Sequence, residues 1–208
     1  MNLYKKFFKR GIDITASGLG LLVLSPVIGI VTLWLHFSNK GAGAFFYQER
    51  PGKNAKIFKV IKFKSMTDEK DDNGNLLPND VRLTKAGAFI RKTSIDELPQ
   101  LWNVFKGDMS LIGPRPLLVE YLPYYSANEM RRHEVRPGIT GLAQIKGRNH
   151  VPWDKRLAYD IHYVDNISFK TDMIIIFKTI YNVFSRKDIE IAPSGIKLNE
   201  ERSYLSEN

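Results

Sequence analysis

Residues 14–35 read ITASGLGLLVLSPVIGIVTLWL, twenty-two consecutive residues without a formal charge. As an α-helix this segment is about 33 Å long, against roughly 30 Å for the hydrocarbon core of a bilayer, which predicts membrane association. Pro26 follows Ser25 near the middle, and an internal proline removes one helical hydrogen bond and bends the helix. We therefore expect a helix, a break at Ser25 and Pro26, and a second helix. The Ser25 hydroxyl would satisfy a carbonyl that the proline leaves free.

Basic residues lie on both sides of this segment. Residues 1–64 contain eleven Lys and Arg against two acidic residues, a net charge of +9, whereas residues 65–208 contain twenty of each sign. Because Lys and Arg favour the cytoplasmic side of a membrane, both ends of the segment are predicted on that side. Residues 1–40 would then form a re-entrant helix hairpin that enters and leaves the membrane on one face.

Three other interpretations of the apolar segment stay open. A straight transmembrane anchor fits, because kinked helices also span membranes. A signal peptide has the same order of basic, apolar and small residues, with AGA at 42–44 as a cleavage site, although its apolar run is usually only about 7–15 residues long. A helix in the core of a soluble domain rarely needs so long a charge-free run.

The composition is that of a folded protein. The chain has 208 residues, 43% of them hydrophobic and 25% charged, which excludes wholesale disorder. It has no cysteine, which excludes disulfides, a thiol nucleophile and cysteine-based zinc fingers. We expect one catalytic domain over residues 41–185 and a polar, loose C-terminal tail over residues 186–208.

The pattern of residues after position 40 predicts a mixed α/β domain that is mainly helical. Residues 44–49 and 56–66 are rich in aromatic and β-branched residues and flank a turn at 50–54, which is typical of a β-hairpin. Residues 68–80 are polar and predict an exposed loop. Apolar residues at helical spacing then predict a helix around residues 98–105 that ends at Gly107. Further helices are predicted at 129–135 and 152–164.

Residues 167–184 combine apolar bulk with Lys170, Asp172 and Lys178. The pattern fits a core helix of the domain. It fits equally an amphipathic helix at the membrane interface, with lysines that extend towards the headgroups.

Asp96 and Glu97 open the helix predicted around residues 98–105, and their position has two explanations. Ser94 and Glu97 match a capping box, and acidic residues in a first turn complement the helix dipole. The same geometry suits chemistry, because the dipole and free N–H groups would keep Asp96 ionised and bind phosphate. An ionised carboxylate there can hold Mg²⁺ or attack phosphorus.

Attack by an anion on a diphosphate needs positive charge nearby, and the sequence offers several candidates. Arg115 lies between two prolines, whose restricted backbone suits a fixed arginine fork for phosphate. Each base taken singly is also compatible with a solvated surface charge. The candidates for phosphate or nucleotide binding are Lys62, with Lys64 beside it, Arg91, Arg115 and Arg148.

Three stretches carry a resemblance to a known family: FKVIKFKSM at 58–66, SIDELPQLWNVFKGDMSLIGPRPLLVEY at 94–121 and RPGITGLAQIKGRN at 136–149. In this order they resemble the bacterial sugar transferase family, and more narrowly its small monotopic phosphoglycosyl transferases. The similarity runs over nearly the whole chain and includes the apolar segment with its Ser25-Pro26 pair.

The resemblance implies transfer of a phosphosugar from a UDP-sugar to polyprenyl phosphate (undecaprenyl phosphate), with release of UMP and a requirement for Mg²⁺. It implies that Asp96 is the nucleophile and forms a covalent phosphosugar adduct. Glu97 would be its partner, and Asp96 would also contact the metal. Lys62, Arg91, Arg115 and Arg148 would contact the substrate phosphates or the nucleotide. It also implies a re-entrant helix at Ser25 and Pro26 and a monotopic protein on the cytoplasmic face of the bacterial inner membrane, in contact with its lipid.

Two other functions remain under consideration. In the first, Asp96 only binds the metal and the phosphosugar passes directly between substrates. In the second, the chain is a non-enzymatic basic protein that binds anionic lipid or nucleic acid. We expect no nucleic-acid partner, because membrane topology already accounts for the bases around the apolar segment.

Overall fold

The apolar segment lies within one long helix at the start of the chain. A computed structural model of the protein describes residues 3–147, 151–185 and 196–207. A π-helical turn, Tyr4–Phe8, leads into helix α1 (Lys9–Ser38), which continues through Pro26. The predicted interruption into two helices is therefore wrong. Its physical reason is that the Ser25 hydroxyl donates to the Leu22 carbonyl at 2.8 Å, the carbonyl that Pro26 leaves without an amide partner. The predicted role of Ser25 is confirmed.

Two antiparallel strands follow, as predicted. Strand β1 (Phe45–Pro51) pairs with β2 (Ile57–Phe63), with Phe46 opposite Lys62 and Arg50 opposite Phe58. Because side chains alternate along a strand, every second residue of β1 lies on the same face as Lys62. A second, parallel pair joins β3 (Ser110–Ile112) to β4 (Gly138–Thr140), and this pair was not predicted.

The rest of the described chain is mostly helical, in agreement with the predicted mixed class. The helices are α2 (Asn79–Arg82), α3 (Lys85–Lys92), α4 (Gln100–Lys106), α5 (Ala127–Met130), α6 (Leu142–Ile145), α7 (Trp153–Asp165), α8 (Phe169–Phe184) and α9 (Leu198–Glu207). Helix α4 ends at Gly107 as predicted, in the left-handed region with φ 105°. The helix predicted at 129–135 is instead the short α5 followed by a 3-10 turn, Arg131–Glu134.

The last dozen residues are not the loose tail that we expected. Leu198 at the start of α9 is fully buried, and it packs in a core cluster with Leu117 and Leu157. The Arg202 guanidinium donates to both Glu129 carboxylate oxygens, at 2.7 and 2.6 Å. One buried leucine and one paired arginine are enough to attach an otherwise polar helix to the domain.

Helix α1 contacts the folded domain along its first half, which lies against α4, and again near its end. Near its start, Lys9 Nζ lies 2.7 Å from the Asp172 carboxylate, and Asp13 accepts a hydrogen bond from the Leu111 amide at 3.0 Å. Near its end, Leu35 is fully buried in a core cluster that includes Ile90. The middle of the helix is exposed. Within the described residues, Tyr4–Ser38 is the one helix that is long and apolar enough to cross a membrane.

Helix α8 has two distinct faces. Asp172 and Ile175 are fully buried, which agrees with a core helix. Phe177 and Tyr181, however, are 69% and 62% exposed. Helix α8 is therefore a core helix on one face and exposes apolar side chains on the other, and its place at a membrane interface stays a prediction.

Helix α3 approaches the end of the hairpin so closely that only glycine fits at position 87. A Cβ on Gly87 would lie 1.8 Å from the Ser65 carbonyl oxygen. We expect Gly87→Ala to destabilise the protein by at least about 2 kcal/mol, because backbone has to move to make room. Thermal unfolding in detergent measures this loss. Gly11→Ala is the matched control, since no atom lies within 4 Å of a Cβ there, and an equal effect of both changes would contradict the prediction.

Candidate active site

Asp96 and Glu97 lie on a 3-10 turn, Ile95–Glu97, between α3 and α4. The turn is preceded by Ser94 in the left-handed conformation, with φ 57°, which is uncommon for a residue other than glycine and redirects the chain at the end of α3. The Ser94 side chain makes no capping bond, so the predicted capping box is wrong. The Glu97 amide donates to the Ser94 carbonyl at 3.2 Å, so it is not free for phosphate as we expected.

Two cations from distant parts of the chain meet at this acidic pair. Lys62 Nζ on β2 lies 2.7 Å from Glu97 Oε1 and 3.8 Å from Asp96 Oδ2. Arg115, which follows β3, places its guanidinium 2.9 Å from the same Glu97 oxygen. The structure thus brings together four of the predicted site residues, with Glu97 as the common partner of both cations.

The two carboxyl groups differ in their electrostatics. Burial raises the pKa of Asp96 to about 6, and the Glu97 charge adds to this while Lys62 opposes it. Burial also opposes the charged form of Glu97, but the charges of Lys62 and Arg115 outweigh it and hold the Glu97 pKa well below its usual range. The expectation that the helix dipole favours ionised Asp96 is therefore wrong in direction. Asp96 is the basic member of the pair and Glu97 the permanent anion.

The remaining predicted bases differ in their relation to the dyad. Arg91 on α3 donates to the Ser65 hydroxyl at 2.8 Å; burial lowers the Arg91 pKa, and the charge of Asp96 only partly opposes this. Lys64 is directed elsewhere, to Asp68 at 2.5 Å. Arg148 lies outside the described residues.

A pocket lies against one face of the hairpin, beside the acidic dyad but not lined by Asp96 or Glu97. Lys62 and Arg115, the two partners of Glu97, line it at one side. The other residues that line it are Phe46, Gln48, Arg50, Val60, Gln100, Pro116 and Gly138. Sequence reasoning had assigned Arg50 to membrane topology and did not identify Gln48 or Gln100. The alternation of Phe46 and Gln48 in the strand predicted over 44–49 was the available signal for these two, whereas Arg50 was predicted in the turn at 50–54.

Behind Arg115 lies a buried ion pair that the sequence did not reveal. Arg132 and Asp160 are almost fully buried and 2.7 Å apart, and Arg132 also donates to the Arg115 carbonyl at 2.7 Å. This bond fixes the backbone that carries the Arg115 side chain. In the sequence, Arg132 is indistinguishable from its neighbour Arg131, which pairs with Asp165 at the surface.

The groups around Asp96 are suited to a cation that takes most of its ligands from substrate phosphates and water. The residues that the structure describes contain no group of three or more His, Cys, Asp or Glu arranged for a metal. Within the same residues the Asp96 carboxylate accepts no hydrogen bond, so its oxygens are available. Mg²⁺ is commonly held by one or two carboxylates together with substrate phosphates and water, and Asp96 fits that requirement.

The sequence matches the family model described as bacterial sugar transferase over residues 4–186. An uncharacterized sugar transferase of Bacillus subtilis is 52% identical over 182 residues, which cover 88% of this chain and 90% of the relative. The undecaprenyl-phosphate galactose phosphotransferase of Salmonella typhimurium is 39% identical over 87% of this chain. The UDP-glucose:undecaprenyl-phosphate glucose-1-phosphate transferase of Klebsiella pneumoniae is 41% identical over 90% of it.

The match to the last two relatives covers only 41% and 42% of their length, whereas it covers most of the Bacillus protein. The matched region includes both members of the acidic dyad and the cations that contact it. The chain belongs to the bacterial sugar transferase family and is a transferase enzyme.

Proposed function

We propose that this chain transfers a phosphosugar from a UDP-sugar to undecaprenyl phosphate through a covalent adduct on Asp96. The observation that carries the proposal is the pairing of Asp96, whose carboxylate accepts no hydrogen bond from the described residues and lies 3.8 Å from Lys62, with a Glu97 that contacts both Lys62 and Arg115. The names of the Salmonella and Klebsiella relatives support the donor and the acceptor.

The proposed reaction has two displacements at one phosphorus. In the first, an Asp96 carboxylate oxygen attacks the sugar-proximal phosphorus. The bond from that phosphorus to the bridging oxygen breaks, and UMP leaves with the electron pair. In the second, an oxygen of undecaprenyl phosphate attacks the same phosphorus and the Asp96 carboxylate is regenerated. Each step exchanges one P–O bond for another, so no redox partner is needed.

The surrounding side chains supply the charge that this reaction requires. Phosphoryl transfer depends mostly on positioning and on neutralising the oxygens of the transferred group. Lys62 and Arg115 are held at the site by Glu97, and Arg91 interacts electrostatically with Asp96. Mg²⁺, held by Asp96 and the donor phosphates, would neutralise further charge on the diphosphate. Arg148 is proposed as another phosphate or nucleotide contact.

We place the protein on the cytoplasmic face of the bacterial inner membrane, where a bend of the continuous helix α1 at Pro26 would let it enter and leave on one side. The contacts of Lys9 with Asp172 and of Leu35 with Ile90 support this topology, because both ends of α1 meet the same domain. The apolar middle is the exposed part, with Leu22 and Val23 each 72% exposed. The exposed apolar face of α8 would lie at the same membrane surface. A membrane-bound acceptor requires an active site at headgroup depth.

The proposed activity is tested by release of UMP from a panel of UDP-sugars. We expect UMP only with a matching UDP-sugar, with Mg²⁺ present, and in multiple turnovers only when undecaprenyl phosphate is added. The full chain in detergent or nanodiscs is the enzyme to use. Failure of every UDP-sugar in the presence of acceptor and Mg²⁺ would contradict the proposal.

The raised pKa of Asp96 predicts a distinct pH profile. The nucleophile must be ionised, so kcat/KM is expected to rise with pH with a midpoint at the Asp96 pKa of about 6 and to level off above about pH 7. Glu97 is ionised throughout this range, because its pKa is lowered. Lys62→Met should move the midpoint to higher pH, since Lys62 favours the ionised form of Asp96. A midpoint near the ordinary value for aspartate, unchanged in Lys62→Met, would contradict this account.

A further inference from the structure

One face of strand β1 contributes three side chains to the pocket, and none of them forms an ion pair with Asp96 or Glu97. Phe46, Gln48 and Arg50 are alternate residues of β1, and all three line the pocket. Phe46 is paired with Lys62, beside the dyad, whereas Arg50 is paired with Phe58. Four residues of strand, about 13 Å, separate the backbone of Arg50 from that of Phe46. Arg50 therefore enters the pocket from the end away from Asp96.

Arg50 differs from the other pocket cations in its partners. Lys62 and Arg115 are both paired with Glu97. Among the described residues, Arg50 forms no ion pair, since no carboxylate oxygen lies within 4.0 Å of its guanidinium. The guanidinium instead donates to the neutral Gln48 side chain at 2.5 Å. Burial and the charge of Arg115 lower the Arg50 pKa to about 10, so the side chain is still cationic at neutral pH. A partly buried cation with no acidic partner favours the arrival of an anion.

The order of charges along the pocket indicates which anion this is. The attacking and leaving oxygens of a phosphoryl transfer lie roughly in line, on opposite sides of phosphorus. Asp96 and Lys62 define the attacking side. Arg115 contacts Glu97 at one end and lines the same pocket as Arg50, which places Arg115 between the two ends. The far end is then left for the group that departs, and an arginine fork matches phosphate oxygens.

Resting on the proposed function, we infer that Arg50, oriented by Gln48, binds the phosphate of the departing nucleotide. Arg50 is then a substrate-binding residue for UMP and for the corresponding phosphate of the UDP-sugar. The acceptor phosphate attacks from the side that UMP has vacated, opposite Asp96, so Arg50 is also open to it in the second displacement.

Binding of UMP to the full chain tests the inference without any need for turnover. By isothermal titration calorimetry, Arg50→Ala is expected to weaken UMP at least tenfold and Arg50→Lys by a smaller factor, since Lys keeps the charge and loses the fork. Lys59→Ala is the matched control, because it removes a positive charge from the same hairpin outside the pocket, and UMP affinity should stay within twofold of the parent. UMP affinity in Arg50→Ala within twofold of the parent would overturn the inference. If that variant does not fold, Arg50→Lys decides by the same criterion.

A second readout separates phosphate binding from a general structural role. The isolated adduct is chased with UMP, which reverses the first displacement, and its hydrolysis without added nucleotide is followed in parallel. Arg50→Ala should slow the UMP chase at least tenfold and leave hydrolysis within twofold, because water brings no phosphate for Arg50 to bind. Equal slowing of both reactions, or of neither, would overturn the assignment. Absence of any adduct in the parent protein would instead contradict the proposed function, and the UMP titration would still decide the role of Arg50.

Discussion

Asp96→Asn should reduce kcat by about 10⁴-fold or more while the protein stays folded, because the amide cannot act as the nucleophile at phosphorus. The substitution keeps the shape of the side chain, and the ion pairs of Lys62 and Arg115 with Glu97 remain in place. Release of UMP from the matching UDP-sugar, in the presence of Mg²⁺ and acceptor, measures the effect.

Asp68→Asn is the matched control for this variant. Asp68 is a 54% exposed carboxylate that pairs with Lys64. It follows the hairpin that carries Lys62, in the segment after β2. Its neutralisation removes the same formal charge away from the dyad, and we expect kcat to remain within twofold of the parent. Turnover of Asp96→Asn within tenfold of the parent would show that Asp96 is not the nucleophile.

Asp172→Ala should lower the free energy of unfolding by about 3–5 kcal/mol, because it removes the anion from a buried network. The Asp172 carboxylate is fully buried and accepts bonds from Lys9 at 2.7 Å, Tyr4 at 2.7 Å and Tyr163 at 2.8 Å. Without it, the Lys9 ammonium is left largely buried and unpaired, and the start of α1 loses its attachment to α8.

Denaturant unfolding in a fixed detergent measures this loss, with Asp165→Ala as the control. Asp165 pairs with Arg131 at the surface, where ion pairs contribute about 1 kcal/mol or less. Equal and small effects of the two substitutions would contradict the account of how α1 is attached to the domain.

The strongly patterned elements of the fold were predictable from sequence. Strands β1 and β2 follow from alternating apolar residues around a turn, and α4 follows from apolar residues at helical spacing with Gly107 as its end. The parallel pair of β3 and β4 was not predictable, because each strand has three residues and their pairing depends on the tertiary fold. Helix α9 was missed because a polar composition does not reveal that Leu198 is buried.

The acidic dyad and its cations were predictable as residue types, but their arrangement was not. Nothing local to Lys62 and Arg115 indicates that both contact one oxygen of Glu97. The left-handed conformation of Ser94 was not predicted, because Ser94 and Glu97 match the sequence pattern of a capping box. The structure does not form that capping box. The pKa of Asp96 depends on burial within the tertiary fold, so the prediction from the helix dipole had the wrong sign.

The central claim, a covalent phosphosugar on Asp96, is tested most directly by intact-protein mass spectrometry. The full chain is mixed with the matching UDP-sugar and Mg²⁺ in the absence of acceptor. We predict a mass increase equal to one phosphosugar, located at Asp96 within the tryptic peptide 93–106, that disappears when undecaprenyl phosphate is added. Turnover by a protein that never acquires this mass, or an adduct that persists in Asp96→Asn, would contradict the account.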